Sequence, residues 1–199
     1  MSWSADYLAP ISAAATPIPQ VPTIPTAELA QLQLPANPAA LQQLRVGQEL
    51  RLDGVIFTLR DAGHQRCRQY LEEYGELPFS LADQAVFYAG PTPAAAGRPF
   101  GAIGPTTAAR MDSQAPALYQ AGVNLTLGKG RRSAAVEAAC RQFSAVYLVT
   151  VGGAAALLAR QVQSAELVGW PDLGPEALWR LVIRDFPAFV AIDCQGNQL

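Results

Sequence analysis

The stretch Ser133–Ala159, SAAVEAACRQFSAVYLVTVGGAAALLA, carries two patterns back to back. In SAAVEAACRQF (Ser133–Phe143) the residues Val136, Ala139, Cys140 and Phe143 recur at helical spacing on one face, and Ser133 stands where an N-cap belongs. In AVYLVTV (Ala145–Val151) apolar and β-branched residues follow one another without alternation, which marks a buried strand. The pair Gly152–Gly153 stops that strand, and GGAAALLARQV begins the next helix. A buried strand between two helices is the repeating unit of an α/β fold.

Working outward, the same alternation continues. ELRLDGVIFTLR (Glu49–Arg60) reads as strand and HQRCRQYLEEYG (His64–Gly75) as a helix closed by glycine. QAVFYAG (Gln84–Gly90) is a strand stopped by GPTP, and TAARMDSQAPALYQAG (Thr107–Gly122) is helical with a break expected near Pro116. VNLTLGKG (Val123–Gly130) is a short strand and a glycine-rich turn. EALWRLVI (Glu176–Ile183) fits helix or strand, and AFVAIDCQGN (Ala188–Asn197) is a strand running into a turn. There is no internal repeat. The expectation is one α/β domain with a mixed sheet and flanking helices over residues 41–199, preceded by an N-terminal arm, residues 1–40. The arm holds the proline-rich ATPIPQVPTIPT (Ala15–Thr26), expected to be extended, as a surface-wrapping segment or as one that packs on a partner subunit.

Composition narrows the function. The chain has 199 residues, 50% of them hydrophobic, and a formal net charge of −2, so it builds a full core and presents no basic excess for nucleic acid or an anionic membrane. Its longest apolar run, Ala145–Ala159, is too short to span a bilayer and is broken by the glycine pair. The N-terminal stretch shows no positive leader pattern, so no secretory signal is expected, and Cys67, Cys140 and Cys194 are odd in number and lack CxxC spacing; a reduced, cytoplasmic location is expected. Of fourteen basic residues only Lys129 is a lysine, and His64 is the only histidine.

Four strand-to-helix junctions concentrate the unusual residues: TLRDAGHQR with Arg60, Asp61 and His64; IGPTTAARMD (Ile103–Asp112); LGKGRRS with Lys129; and VGGAAA with Gly152 and Gly153. In open α/β sheets ligands gather outside the carboxyl ends of the strands, and helix N-termini there favour anions. Arg60, Arg110 and Lys129 at three of these junctions suit a small substrate with two carboxylates, arginine as a two-pronged fork and lysine as a point charge. Read singly, each has a plainer role: Arg60 and Asp61 as a local ion pair, Thr106 and Thr107 as helix caps, Lys129 as a solvated turn residue, His64 as a donor to a backbone carbonyl. GKG is not a Walker A loop, since GxxxxGK[ST] is absent.

RDAGHQR, GPTTAARMD, GKG, VGGAAALL, DLGPEALW and DFPAFVAID follow in order and resemble the β subunit, or C-terminal domain, of class I iron–sulfur fumarate hydratases, whose relatives include L(+)-tartrate dehydratase. The likeness covers roughly residues 45–197; the arm is longer than the family pattern, and Gly63 stands where the family more often has alanine. The resemblance implies a swivelling β/β/α domain, reversible hydration of fumarate to (S)-malate, and a 4Fe-4S cluster held by three cysteines of a separate α subunit. It implies an αβ pair, doubled to a heterotetramer. It places substrate contacts on Arg60, on Thr106, Thr107, Ala108, Ala109 and Arg110, and on Lys129, and treats His64 as catalytic. Chemically, Arg110 and Lys129 suit charge stabilisation and Arg60 a carboxylate clamp. Proton transfer falls to Thr106, if a nearby cation lowers its pKa, or to His64, the better base near neutral pH. The chain's own three thiols are expected to be inert core or helix residues rather than cluster ligands. A tartrate or mesaconate-type dehydratase and a non-catalytic dicarboxylate-binding module are the alternatives.

Overall fold

The runs Ala85–Phe87 (β3), Leu125–Gly128 (β4) and Val146–Val149 (β5) are buried along almost their full length because they pair parallel, side by side, with both faces covered. The computed structural model describes residues 29–93 and 101–199. β3 pairs parallel with the end of Glu49–Thr58 (β2), and β2 pairs parallel with Ala30–Leu34 (β1). Leu178–Ile192 (β7) runs antiparallel to β5, to Val162–Gly169 (β6) and back to β2. The pairings therefore close into a ring of β2, β3, β4, β5 and β7, with β1 and β6 at its margins.

Side chains alternate across this ring. Leu52, Ile56, Phe87, Leu127, Leu148 and Val190 share one core cluster on the enclosed face. Val86, Tyr88, Tyr147 and Ile192 point the other way and pack with Cys67, Leu118, Val136 and Cys140 from the helices. Those helices are Asp61–Tyr74 (α2), Ala115–Gln120 (α3) and Ala134–Phe143 (α4); Pro38–Gln43 (α1) and Ala155–Leu158 (α5) are shorter. The α/β class with a mixed sheet and flanking helices is as expected. Among the described residues no helix is long and apolar enough to cross a membrane.

Several elements differ from the sequence reading, each for a physical reason. α2 starts at Asp61 rather than His64, because the Glu176 carboxylate accepts the Ala62 amide at 2.6 Å and caps the helix from a distant segment. The helical stretch 107–122 breaks before Pro116: a 3-10 turn, Ala108–Met111, precedes α3, and Pro116 sits in the first turn of α3, where no amide is needed. Ser133 occupies the N-cap of α4, but its side chain makes no capping bond; the Asp112 carboxylate takes its amide instead, at 2.7 Å. The helix expected from GGAAALLARQV is one turn, and the strand after it, β6, was not foreseen, being mostly exposed and without alternation. EALWRLVI is strand from Leu178 and joins AFVAID in one element that passes through Pro187. Of the residues assigned to the arm, 1–28 lie outside the described residues, while β1 and the start of α1 belong to the domain, with Leu32, Leu34 and Ala36 buried.

β1 depends on one glycine. Gly54, at a register shift in β2, has φ +115°, and a Cβ there would lie 2.1 Å from the Leu34 carbonyl oxygen. Gly54→Ala is expected to cost about 1–3 kcal/mol in urea unfolding and to release the β1 amides to hydrogen exchange. An unchanged midpoint with β1 still protected would show that the close approach is not required.

Candidate active site

Because β2, β3, β4 and β5 are parallel, their carboxyl ends face one rim, and all four junctions meet there. Backbone bonds stitch three of them together. The Lys129 amide donates to the Thr106 carbonyl (3.2 Å), the Ala108 amide to the Lys129 carbonyl (2.9 Å), and Thr107 and Lys129 form a parallel bridge. Ile103 N–H reaches the Ala155 carbonyl at 3.3 Å, and the Lys129 stem passes within 3.5 Å of where a Cβ on Gly152 would lie. The sequence-predicted residues Arg60, His64, Thr106 to Arg110 and Lys129 therefore all lie on or under one rim.

Three arginines at this rim, Arg60, Arg110 and Arg132, each pair with a carboxylate. Arg60 Nε lies 3.3 Å from Glu176 Oε1, without an aligned hydrogen bond, and the guanidinium rests over Gly90, where a Cβ would come within 2.9 Å of Cζ. Asp61 does not pair with Arg60, contrary to the local pair expected from their adjacency. It receives Arg110 instead: Nε donates to Oδ1 at 3.0 Å, and Nη2 stands 2.6 Å from Oδ2. Lys129, exposed on its turn, has no ion pair among the described residues.

At two of the helix starts that the sequence offered to an anion, a carboxylate of the chain itself accepts an amide. Only α2 and α4 are long enough to present a strong dipole end. Glu176 accepts the Ala62 amide in the first turn of α2, and Asp112 accepts the amide of Ser133, the N-cap of α4. Lys129 and Arg131, on the turn after β4, are cations without an ion pair among the described residues.

Arg132 was given no role by the sequence, yet it fixes the geometry. Its side chain is 0% exposed, and Nε donates to Asp112 Oδ1 at 2.6 Å while Nη1 donates to the Tyr88 hydroxyl at 3.3 Å. The guanidinium stacks between the rings of Tyr88 (5.1 Å) and Tyr147 (4.8 Å). Asp112 closes the RMD motif and Arg132 belongs to GKGRRS, so this one pair joins the turn carrying Arg110 to the turn carrying Lys129. The Tyr147 hydroxyl donates to the Gly130 carbonyl at 2.9 Å and holds the same turn. The available signal was the charge itself: in a chain only 15% charged, a second arginine after GKG and an acid after RM had to be accounted for.

The two proton-transfer candidates sit in different surroundings. His64 is 1% exposed and packs edge-on against Tyr88, with ring centroids 5.1 Å apart. Its Nδ1 lies 3.1 Å from the Arg60 carbonyl, which only accepts, so Nδ1 carries the proton and Nε2 is left as a buried acceptor without a partner. Burial lowers its pKa to about 4; Arg132 adds to the shift, and the Arg60 carbonyl and Asp61 oppose it. Thr106 is 9% exposed, its amide donates to the Tyr88 carbonyl at 2.6 Å, and its hydroxyl has no hydrogen bond among the described residues.

Two of the chain's three thiols are poorly suited to hold a metal cluster. Cys67 and Cys140 are buried in the helix-side core, and burial raises their pKa values to about 12 and about 11, which disfavours the thiolate a ligand must be. Among the described residues no group of three or more His, Cys, Asp or Glu side chains converges.

The family model for the fumarase C-terminus matches residues 9–199. The chain is 42% identical over 161 residues to the anaerobic class I fumarate hydratase of Escherichia coli (strain K12), an overlap of 80% of this chain and 29% of that protein. It is 41% identical over 166 residues to the mitochondrial fumarate hydratase 1 of Leishmania major, 80% of this chain and 30% of that protein. It is 37% identical over 173 residues to the β subunit of L(+)-tartrate dehydratase of Escherichia coli (strain K12), covering 84% of this chain and 85% of that subunit. The chain thus spans about three tenths of those fumarate hydratases and most of the tartrate dehydratase subunit.

The buried imidazole gives a pH dependence with a definite sign. Below its ordinary value of 6.5 an unfolded His64 takes a proton that the folded one refuses until about pH 4. Stability is therefore full above pH 6.5 and falls by up to about 3 kcal/mol as the pH drops toward 4. His64→Gln is expected to flatten that part of the urea-midpoint profile; parallel profiles for the two proteins would contradict a neutral, buried imidazole.

Proposed function

The chain belongs to the fumarase C-terminus family, and on that premise we propose that it is the β-type part of an iron–sulfur hydro-lyase that interconverts fumarate and (S)-malate. Its partner would be an α subunit holding a 4Fe-4S cluster, the two forming an αβ pair doubled to a heterotetramer in the cytoplasm. The closed sheet with helices packed on its outer face supports the reading of a swivelling β/β/α domain. The observation that carries the function is the rim: four junctions converge, Arg60, Arg110 and Arg132 are each paired with a carboxylate, and Lys129 has no ion pair among the described residues.

In the malate-to-fumarate direction a proton leaves the carbon beside one carboxylate, and its electron pair moves onto that carboxylate before the hydroxyl departs from the neighbouring carbon. The proton is weakly acidic, so the step needs fixed positive charge where the negative charge grows. Lys129 and Arg110 supply it, and Arg60 holds the other carboxylate. Thr106, whose carbonyl accepts from the Lys129 amide, is one proton carrier, and His64, packed against Tyr88 with its Nδ1 committed to the Arg60 carbonyl, is the other. Loss of the hydroxyl then falls to groups of the partner subunit.

A second reading has its own support. The tartrate dehydratase subunit is matched over 85% of its length, as a separate β chain would be, so L(+)-tartrate is the alternative substrate. One hydroxyl or methyl changes binding by only about 1–3 kcal/mol in an apolar pocket, and mesaconate belongs in the same comparison. In the assembled enzyme Lys129→Ala is expected to lower kcat/KM about 10²- to 10³-fold, and Lys129→Arg about tenfold or more, with the unfolding midpoint unchanged because Lys129 has no ion pair to lose among the described residues. Near-normal kcat/KM in Lys129→Ala would place the site elsewhere.

A further inference from the structure

Arg60 and Asp61 are neighbours, yet their side chains serve opposite sides of the rim. Arg60 leans toward Glu176 over Gly90, and Asp61, at the first position of α2, reaches across to Arg110 on the 3-10 turn. The contact with Arg110 is one-sided. Asp61 occupies the Nε edge and touches Nη2, while Nη1 has no partner among the described residues and the Arg110 side chain is 57% exposed. A guanidinium has two usable edges, and a carboxylate on the Nε edge leaves the Nη1 end open to a second carboxylate.

We propose that Asp61 is a positioning residue: it grips the Nε edge of Arg110 and turns the Nη1 end toward the rim, where it receives one carboxylate of the ligand. The assignment rests on the dicarboxylate reading of the rim. An arginine side chain has many rotamers, and a 3-10 turn of four residues does not select among them. The Arg132–Asp112 pair fixes the turn's backbone, and Asp61 fixes the side chain that projects from it. A pair this exposed adds little to stability, so its effect on binding is separable from its effect on the fold. If Asp61 were only a competing anion, removing it would strengthen ligand binding; if it positions Arg110, removing it weakens binding although the site becomes more positive.

The test compares Asp61→Asn with the natural protein in the assembled enzyme and, in parallel, in the full chain labelled with ¹⁵N. The expected result is a KM for dicarboxylate raised roughly tenfold or more with a much smaller change in kcat and an unchanged unfolding midpoint. The Arg110 Nε–H resonance, assigned by its loss in Arg110→Lys, should be protected from exchange in the natural protein and unprotected in Asp61→Asn. An unchanged or lowered KM overturns the proposal. If the assembled natural enzyme turns over no dicarboxylate, the functional reading fails by itself, and the Nε–H signal decides the positioning: protection lost in Asp61→Asn supports it, and no protection in the natural protein overturns it.

Discussion

A guanidinium with no exposed surface must be paired where it lies, and the rim of this protein is organised around that requirement. Arg132 is buried between two tyrosine rings, and the Asp112 carboxylate answers its charge. The other oxygen of Asp112 accepts the amide of Ser133, the N-cap of α4. One carboxylate thus ties together the 3-10 turn after GPTTAA, the loop after GKG and the start of the helix that packs on the outer sheet face. The cost of burying the charge is met by directional contacts, and those contacts leave the two turns one relative placement.

That placement matters because the sheet closes. With β7 returning to β2, the carboxyl ends of four parallel strands face one rim, and their connecting segments must share it. Carboxylates from the chain itself accept an amide at the starts of α2 and α4 and neutralise Arg60, Arg110 and Arg132. The rim is therefore preorganised polar structure in which Lys129 stands outside the ion pairs, on a turn stiffened by the Thr106, Ala108 and Tyr147 bonds. Fixed charge of this kind stabilises an anionic transition state without reorganising during the reaction.

Much of this was legible in the sequence where local pattern decides. The buried runs at Ala145 and Val123 read as strands, the Val136 face read as helix, and the converging junctions named Arg60, Arg110 and Lys129 before any coordinates. What was not legible came from long-range partners. The start of α2 depends on Glu176, more than a hundred residues away in sequence, and the capping of Ser133 depends on Asp112. β6 carries little alternation because it lies at the exposed margin, where no buried face imposes a period. Asp61 looked like a partner for its neighbour, and only the rim geometry shows that it answers Arg110.

The central claim is that this chain supplies half of a dicarboxylate hydro-lyase site and needs a cluster-bearing partner for turnover. The most direct measurement is anaerobic: the chain alone, the partner subunit alone and the reconstituted mixture are each followed by absorbance of the unsaturated product or substrate with fumarate, malate, tartrate and mesaconate. The account predicts turnover in the mixture alone, with the preferred substrate identifying which hydro-lyase it is. Turnover by the isolated chain, or none by a mixture whose cluster is intact, would contradict it.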